Sequence, residues 1–185
     1  MTLPNILTIA RVILTIPFML CAMQSGIGFQ IAALAIFIIA AITDKIDGDI
    51  ARKHNLITTF GKIMDPLADK LLTTAAMLIF VADGRMSVYA LMIILAREFA
   101  VTSLRAVAAD EGKVIAAGIW GKAKTVSQFI YIILMLLDVN KSSSGWLFHV
   151  EQIAMWFITA LTLWSGIVYF AKSKDLIKVN IDKKK

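Results

Sequence analysis

Four aspartates and an arginine are the residues of this chain best suited to chemistry. They belong to the segment Asp44-Lys45-Ile46-Asp47-Gly48-Asp49-Ile50-Ala51-Arg52, followed by Gly61, Asp65 and Asp69. Asp44 and Asp47 are spaced i,i+3, and Asp65 and Asp69 i,i+4; on helices each pair projects from one face. Two such helices facing each other would converge four carboxylates on a small volume. Hard oxygen ligands of that kind suit Mg²⁺ or Mn²⁺. No Cys/His set exists for zinc, since His54 and His149 stand alone. Four negative charges match two divalent ions, and paired metals clamp the attacking and leaving oxygens of a phosphoryl displacement. One carboxylate could also take the proton of an acceptor hydroxyl.

The neighbouring residues suit a nucleotide diphosphate. Gly48 removes a side chain where a flat base or a phosphate must approach the helix. Arg52, one turn further on, can fork onto a diphosphate. Gly61 could open the next helix in the same way. Each glycine taken alone is as well explained by close helix packing, and Asp49 reads as a solvated helix residue. The ordered set is what argues for a site.

The elements that must position these groups are apolar. Of 185 residues 59% are hydrophobic, above the usual 45–50% of soluble domains, and the mean hydropathy is +0.79. Six apolar spans are expected, over roughly 6–24, 29–43, 63–82, 87–104, 119–137 and 146–170. Gly26 and Gly28, then Asp83-Gly84, then Lys141 to Gly145 punctuate the odd-numbered connections. The spacing predicts that the second span continues as a helix carrying Asp44 through Arg52, and that the third begins near Gly61. The expected fold class is an all-α membrane protein with six transmembrane helices, forming a single domain over residues 1–185. An aspartate at mid-membrane costs about 2.5–3.5 kcal/mol. Four of them imply a penalty of roughly 10 kcal/mol unless they share water or cations.

Charge sets the expected orientation. With six spans, all but Arg85 and Lys141 of the 19 lysines and arginines fall on the side of the termini and the carboxylates. The positive-inside rule then puts both termini and the site on the cytoplasmic face. The net charge of +6 flanks apolar spans, which suits anionic lipid headgroups; nucleic acid is not an expected partner. The first apolar stretch lacks a basic leader and contains Arg11, so it reads as a span and not a cleaved signal. Cys21, the one cysteine, excludes an intrachain disulfide.

The pattern Asp44-x2-Asp47-Gly48-x2-Ala51-Arg52-x8-Gly61-x3-Asp65-x3-Asp69 resembles the complete motif of the CDP-alcohol phosphatidyltransferases. The resemblance implies six membrane helices in a bacterial inner (cytoplasmic) membrane, and a homodimer with its site open to the cytoplasm. It implies that Asp44, Asp47, Asp65 and Asp69 hold two divalent ions, with Asp69 also the proton acceptor. Gly48, Arg52 and Thr58 would contact the CDP moiety, Gly61 would lie beside it, and the segment holding Asn5 and Thr8 would flank the nucleotide.

Outside the motif, Leu3-Pro4-Asn5-Ile6-Leu7-Thr8-x2-Arg11, Asp65-Pro66-Leu67-Ala68-Asp69-Lys70, Arg97-Glu98-Phe99 to Arg105, and Gly121-Lys122-x-Lys124-Thr125 look like the branch that transfers a phosphatidyl group from CDP-diacylglycerol to sn-glycerol 3-phosphate, releasing CMP. A dianionic acceptor needs cations, and Arg105, Lys122 and Lys124 sit at span ends, with the Thr102 hydroxyl one turn before Arg105. Lys122 and Lys124 also fit ordinary flanking charges, and Arg97 with Glu98 also fits a buried polar network. Three rival readings remain: a CDP-dependent cardiolipin synthase, an intramembrane prenyltransferase and a divalent-cation transporter. The glycine and arginine framework argues against the second. The clustering of acids on one side argues against the third.

Overall fold

The computed structural model describes residues 3–53, 59–110, 118–138 and 145–173. Within these, only the backbone is described at 3–5, 44–53, 59–63, 65, 66, 69 and 110. Six helices follow one another: α1 (Leu3–Ala22), α2 (Ile27–Lys53), α3 (Thr59–Ala82), α4 (Val88–Asp110), α5 (Ile119–Leu137) and α6 (Trp146–Lys172). No strand occurs among the described residues. In hydrocarbon every backbone amide must be satisfied within its own segment, and the helix does this.

Among the described residues, α6 is the one helix long and apolar enough by length and composition to cross a membrane, while α1, α2 and α3 carry the shorter apolar segments Ile6–Ala22, Ile27–Thr43 and Lys70–Ala82. The shortening has a cause: α2 and α3 give their remaining length to the aspartate-bearing segments. α2 runs on to Lys53, so Asp44 through Arg52 are helical, as their spacing predicts. α3 starts at Thr59, two residues ahead of Gly61, and α4 extends past the apolar limit at 104 to Asp110. The added turns hold Ala106, Ala108 and Ala109, and alanine is the best helix former.

Among the described residues, tight turns join α1 to α2 and α3 to α4. At the end of α3 the Arg85 amide donates to the Phe80 carbonyl at 2.9 Å and the Gly84 amide to the Val81 carbonyl at 3.0 Å. This is the paired bonding of a Schellman cap, which needs a left-handed residue; Gly84 supplies it with φ 72°.

The core sits where all six helices meet. Phe37 of α2 has no exposure and stacks on Phe18 of α1 (6.0 Å between centroids) and Phe129 of α5 (5.5 Å). Ala33, Ala40, Ala75, Ala76 and Ala90 are also buried, and small residues let helix backbones approach closely without a hydrophobic drive between them. α1 packs against α2 and α3, α5 against α2, α3 and α6, and α4 against α3 and α6. Large apolar residues cover the outside, among them Ile13, Ile16, Leu20, Phe99, Ile130, Ile153 and Phe157. The buried set includes Thr8, Arg11, Gln30, Arg85, Lys124, Gln128, Glu151 and Thr162. Polar groups inside and apolar groups outside suit a lipid environment. Trp146, Trp156 and Trp164 are about half exposed or more, and Trp120 meets Trp164 edge-on at 6.3 Å.

Candidate active site

α2 ends at Lys53 and α3 begins at Thr59, so the two acid-bearing helix ends lie on one side of the bundle, joined through a short connection. α1 packs against both. The backbone thus places Asp44, Asp47, Gly48 and Arg52 on the last turns of α2, and Gly61, Asp65 and Asp69 on the first turns of α3. Their side chains, and that of Asn5 at the start of α1, lie outside the described residues, as does Thr58 altogether. On α1, Thr8 and Arg11 are buried one turn apart, on the helix that links α2 to α3.

From Lys70, the residue after Asp69, a charged network crosses three helices. Lys70 of α3 donates to the Glu98 carbonyl at 3.0 Å and bonds the Thr102 hydroxyl, both on α4. Its ammonium also lies 3.6 Å from Glu98 Oε2. Lys124 of α5, only 4% exposed, donates to Glu98 Oε1 at 2.6 Å. Arg97 Nη1 reaches the same oxygen at 2.9 Å. The Thr102 hydroxyl donates back along the helix to the Glu98 carbonyl at 2.8 Å. One carboxylate therefore gathers three cations, the arrangement that makes buried charge tolerable. A cavity of about 40 Å³ opens beside it, lined by Lys70, Thr73, Glu98, Lys124, Thr125 and Gln128 among others.

The four cationic or hydroxyl residues expected on the acceptor side do not all meet. Thr102 and Lys124 join the Glu98 network. Arg105 turns instead to α6, where its Nε donates to the Tyr169 hydroxyl at 3.0 Å and its guanidinium stands 5.4 Å from that ring's centroid, a cation–π geometry. Lys122 is exposed, as a flanking charge would be. Arg97 packs so closely on α6 that a Cβ on Gly166 would lie 3.1 Å from its Cγ.

Three participants escaped the sequence reading. In the sequence Lys70 stands only as part of a motif, Glu98 pairs with its neighbour Arg97, and nothing singles out Tyr169. A signal existed for the first two. Lys70, Glu98 and Lys124 each fall within an apolar span, and charges at such positions need partners, which makes opposite charges on different spans candidates for one another.

A second charged cluster lies at the opposite end of α5. Arg85, in the α3–α4 connection, donates from Nε to Glu151 Oε2 at 3.1 Å and from Nη2 to Glu151 Oε1. Nη2 also lies 3.2 Å from Asp138 Oδ2. The carbonyl of Arg85 accepts from Gln152 at 2.8 Å. The sequence marks Arg85 only as a stray charge on the far side; the fold makes it the clasp between the α3–α4 hairpin and the α5–α6 hairpin.

The CDP-alcohol phosphatidyltransferase family profile matches residues 1–164. A relative from Bacillus subtilis (strain 168), named CDP-diacylglycerol–glycerol-3-phosphate 3-phosphatidyltransferase, is 39% identical over 190 residues, covering 96% of this chain and 98% of its own. Proteins of the same name from Rickettsia felis (37% identical, 93% and 95% covered) and Shigella flexneri serotype 5b (36% identical, 95% and 97% covered) are similar along nearly their whole length. The chain is a member of the CDP-alcohol phosphatidyltransferase family.

Proposed function

We propose that this protein transfers the phosphatidyl group of CDP-diacylglycerol to sn-glycerol 3-phosphate, forming phosphatidylglycerophosphate and releasing CMP. The observation that carries the acceptor is the meeting of α3, α4 and α5 around Glu98. Lys70 follows Asp69 directly and touches Thr102 and Glu98, and Lys124 is bonded to the same carboxylate. A lysine-rich cavity thus begins one residue beyond the acidic end of α3, where an anionic acceptor is needed. The relatives' names point to the same substrates.

In this reading Asp44, Asp47, Asp65 and Asp69 hold two divalent cations, Mg²⁺ or Mn²⁺. Their fit rests on donor chemistry: four hard carboxylates on two helix ends that the fold brings to one side. When bound, such ions neutralise the diphosphate and stabilise charge on the leaving oxygen. Arg52 forks onto the diphosphate, Gly48 and Gly61 leave room for the nucleotide, and Asn5, Thr8 and Thr58 flank it. Asp69 takes the proton of the glycerol C1 hydroxyl. That oxygen bonds to the lipid-side phosphorus as the bond to the CMP oxygen breaks. Thr102 and Lys124 orient the acceptor's phosphate; Arg105 and Lys122 guide it from the rim. The acyl chains stay in lipid along the exposed apolar helix faces.

The site faces the cytoplasm of a bacterial inner membrane, with both termini on that side, because the basic residues concentrate there. The chain is read as one domain acting as a homodimer. A CMP-release assay on purified protein with glycerol 3-phosphate, serine, inositol phosphate and phosphatidylglycerol tests the reading. Release dependent on glycerol 3-phosphate supports it, and a response only to phosphatidylglycerol overturns it in favour of a cardiolipin synthase.

A further inference from the structure

We infer that Glu98 is a positioning residue for the acceptor: its carboxylate fixes Lys124 and Lys70 on the wall of the α3–α4–α5 cavity, where the lysines receive the phosphate monoester of glycerol 3-phosphate. The inference rests on the function proposed above and deepens it.

Three features of the network carry it. The first is economy of motion. A lysine head on a flexible four-carbon stem loses rotamer freedom when it grips a ligand. Lys124 is 4% exposed and already held at 2.6 Å from Glu98 Oε1, so much of that ordering precedes binding. Lys70 is fixed from three directions, by the Glu98 carboxylate, the Glu98 carbonyl and the Thr102 hydroxyl.

The second feature is the polarity of the lining. Lys70 and Lys124 bring two positive charges to the cavity wall, beside Thr73 and Thr125, whose hydroxyls rest on the Lys70 and Gly121 carbonyls at 3.2 and 3.1 Å; phosphate oxygens favour such cations. Glu98 is the one acid among the described lining residues, and the lysines already engage it. A space of about 40 Å³ holds roughly three water-sized groups, the scale of a phosphate head.

The third is location. Lys70 follows Asp69 on α3, so one wall of the cavity continues from the helix turn that carries the proposed proton acceptor, as handling the two ends of a three-carbon acceptor requires. If Glu98 served only to neutralise buried lysines, its loss would weaken folding without favouring one substrate over the other.

The test measures CMP release by the full-length protein in mixed micelles, with KM determined separately for each substrate. Glu98→Gln should raise the KM for glycerol 3-phosphate about tenfold, the scale of one side chain newly immobilised on binding, and leave the KM for CDP-diacylglycerol within about twofold. The same change placed on Lys124→Met should add less than its full effect, because the two share the Lys124–Glu98 contact while Lys70 still depends on Glu98. Equal changes in both KM values, no change in either, or effects that multiply in the double variant would overturn the role of Glu98. Should Glu98→Gln fail to fold, Lys70→Met, which removes the other lysine held by the carboxylate, must raise the glycerol 3-phosphate KM selectively; an unchanged value overturns the inference. A wild-type protein that releases CMP only with a different acceptor refutes the proposed function itself, and with it the inference. A wild type that responds to glycerol 3-phosphate while these variants lack selectivity refutes the inference alone.

Discussion

Replacing Glu151 with glutamine should destabilise the protein by about 3 kcal/mol without altering the chemistry of the folded enzyme. Arg85 and Glu151 are 2% and 1% exposed and share a two-pronged contact, and Asp138, 7% exposed, lies 3.2 Å from the same guanidinium. Removing one partner of a buried ion pair ordinarily costs about 3–5 kcal/mol. Glutamine keeps the shape, and Asp138 remains to balance Arg85, so the cost belongs at the lower end of that range. Arg85→Met leaves two carboxylates uncompensated and belongs at the upper end, about 5 kcal/mol. Asp138→Asn spares the two-pronged contact and should cost about 1.5 kcal/mol, one charge-assisted hydrogen bond. For a chain of this length each kcal/mol shifts the melting temperature by roughly 2–4 °C, so Glu151→Gln should melt about 6–12 °C below the wild type. Thermal unfolding in detergent micelles, followed by circular dichroism, reads the shift. CMP release well below the transition reads the chemistry. Fourteen residues of α5 and its C-cap separate Lys124 from Asp138, some 20 Å at the helical rise, so turnover per folded molecule should be unchanged. A larger loss for Asp138→Asn than for Glu151→Gln would refute the clasp, as would a selective rise in either KM.

Four further outcomes are expected. Gly84→Ala forces a side chain into the left-handed region at φ 72° and should cost about 1–2 kcal/mol, measured by the same unfolding assay. Phe37→Ala removes the ring that joins α1, α2 and α5 and should cost about 3–5 kcal/mol, again read as a fall in melting temperature. Gly166→Leu should wedge α4 from α6, since even a Cβ there would lie 3.1 Å from Arg97 Cγ; a loss of at least about 2 kcal/mol is expected from overpacking, and unfolding at the wild-type temperature would contradict it. Chelation of divalent cations should abolish CMP release, and Mg²⁺ or Mn²⁺ should restore it; release that persists in chelator would remove the metals from the account.

Local order was readable in the sequence because its signals are local. The helix carrying Asp44 through Arg52 follows from i,i+3 spacing and the absence of proline, in spite of Gly48, and the stop at Gly84 from a residue that tolerates a left-handed turn. The overrun of α4 to Asp110 was missed because hydropathy falls off before helix propensity does: Ala106, Ala108 and Ala109 are indifferent to lipid but favour helix. Long-range pairing was not readable. Charges inside apolar spans signal that partners are needed, but that Glu98 meets Lys70 and Lys124 depends on how three helices rotate against one another. Arg85 shows the same limit more sharply. A single charge at a span end looks solvated, and only packing reveals that it is enclosed with Glu151 and Asp138. At the acidic motif the balance is reversed. The residue types and spacing of Asp44, Asp47, Asp65 and Asp69 carry the argument, and the fold contributes the shared side on which α2 ends and α3 begins.

The most direct test supplies purified protein with CDP-diacylglycerol labelled in the cytidine, Mg²⁺ and glycerol 3-phosphate, and follows labelled CMP in the wild type and in Asp69→Asn. The account predicts CMP release that requires all three components in the wild type, and loss of turnover in the variant with CDP-diacylglycerol binding largely retained. Wild-type-like turnover by Asp69→Asn, or CMP formation indifferent to glycerol 3-phosphate, would contradict it.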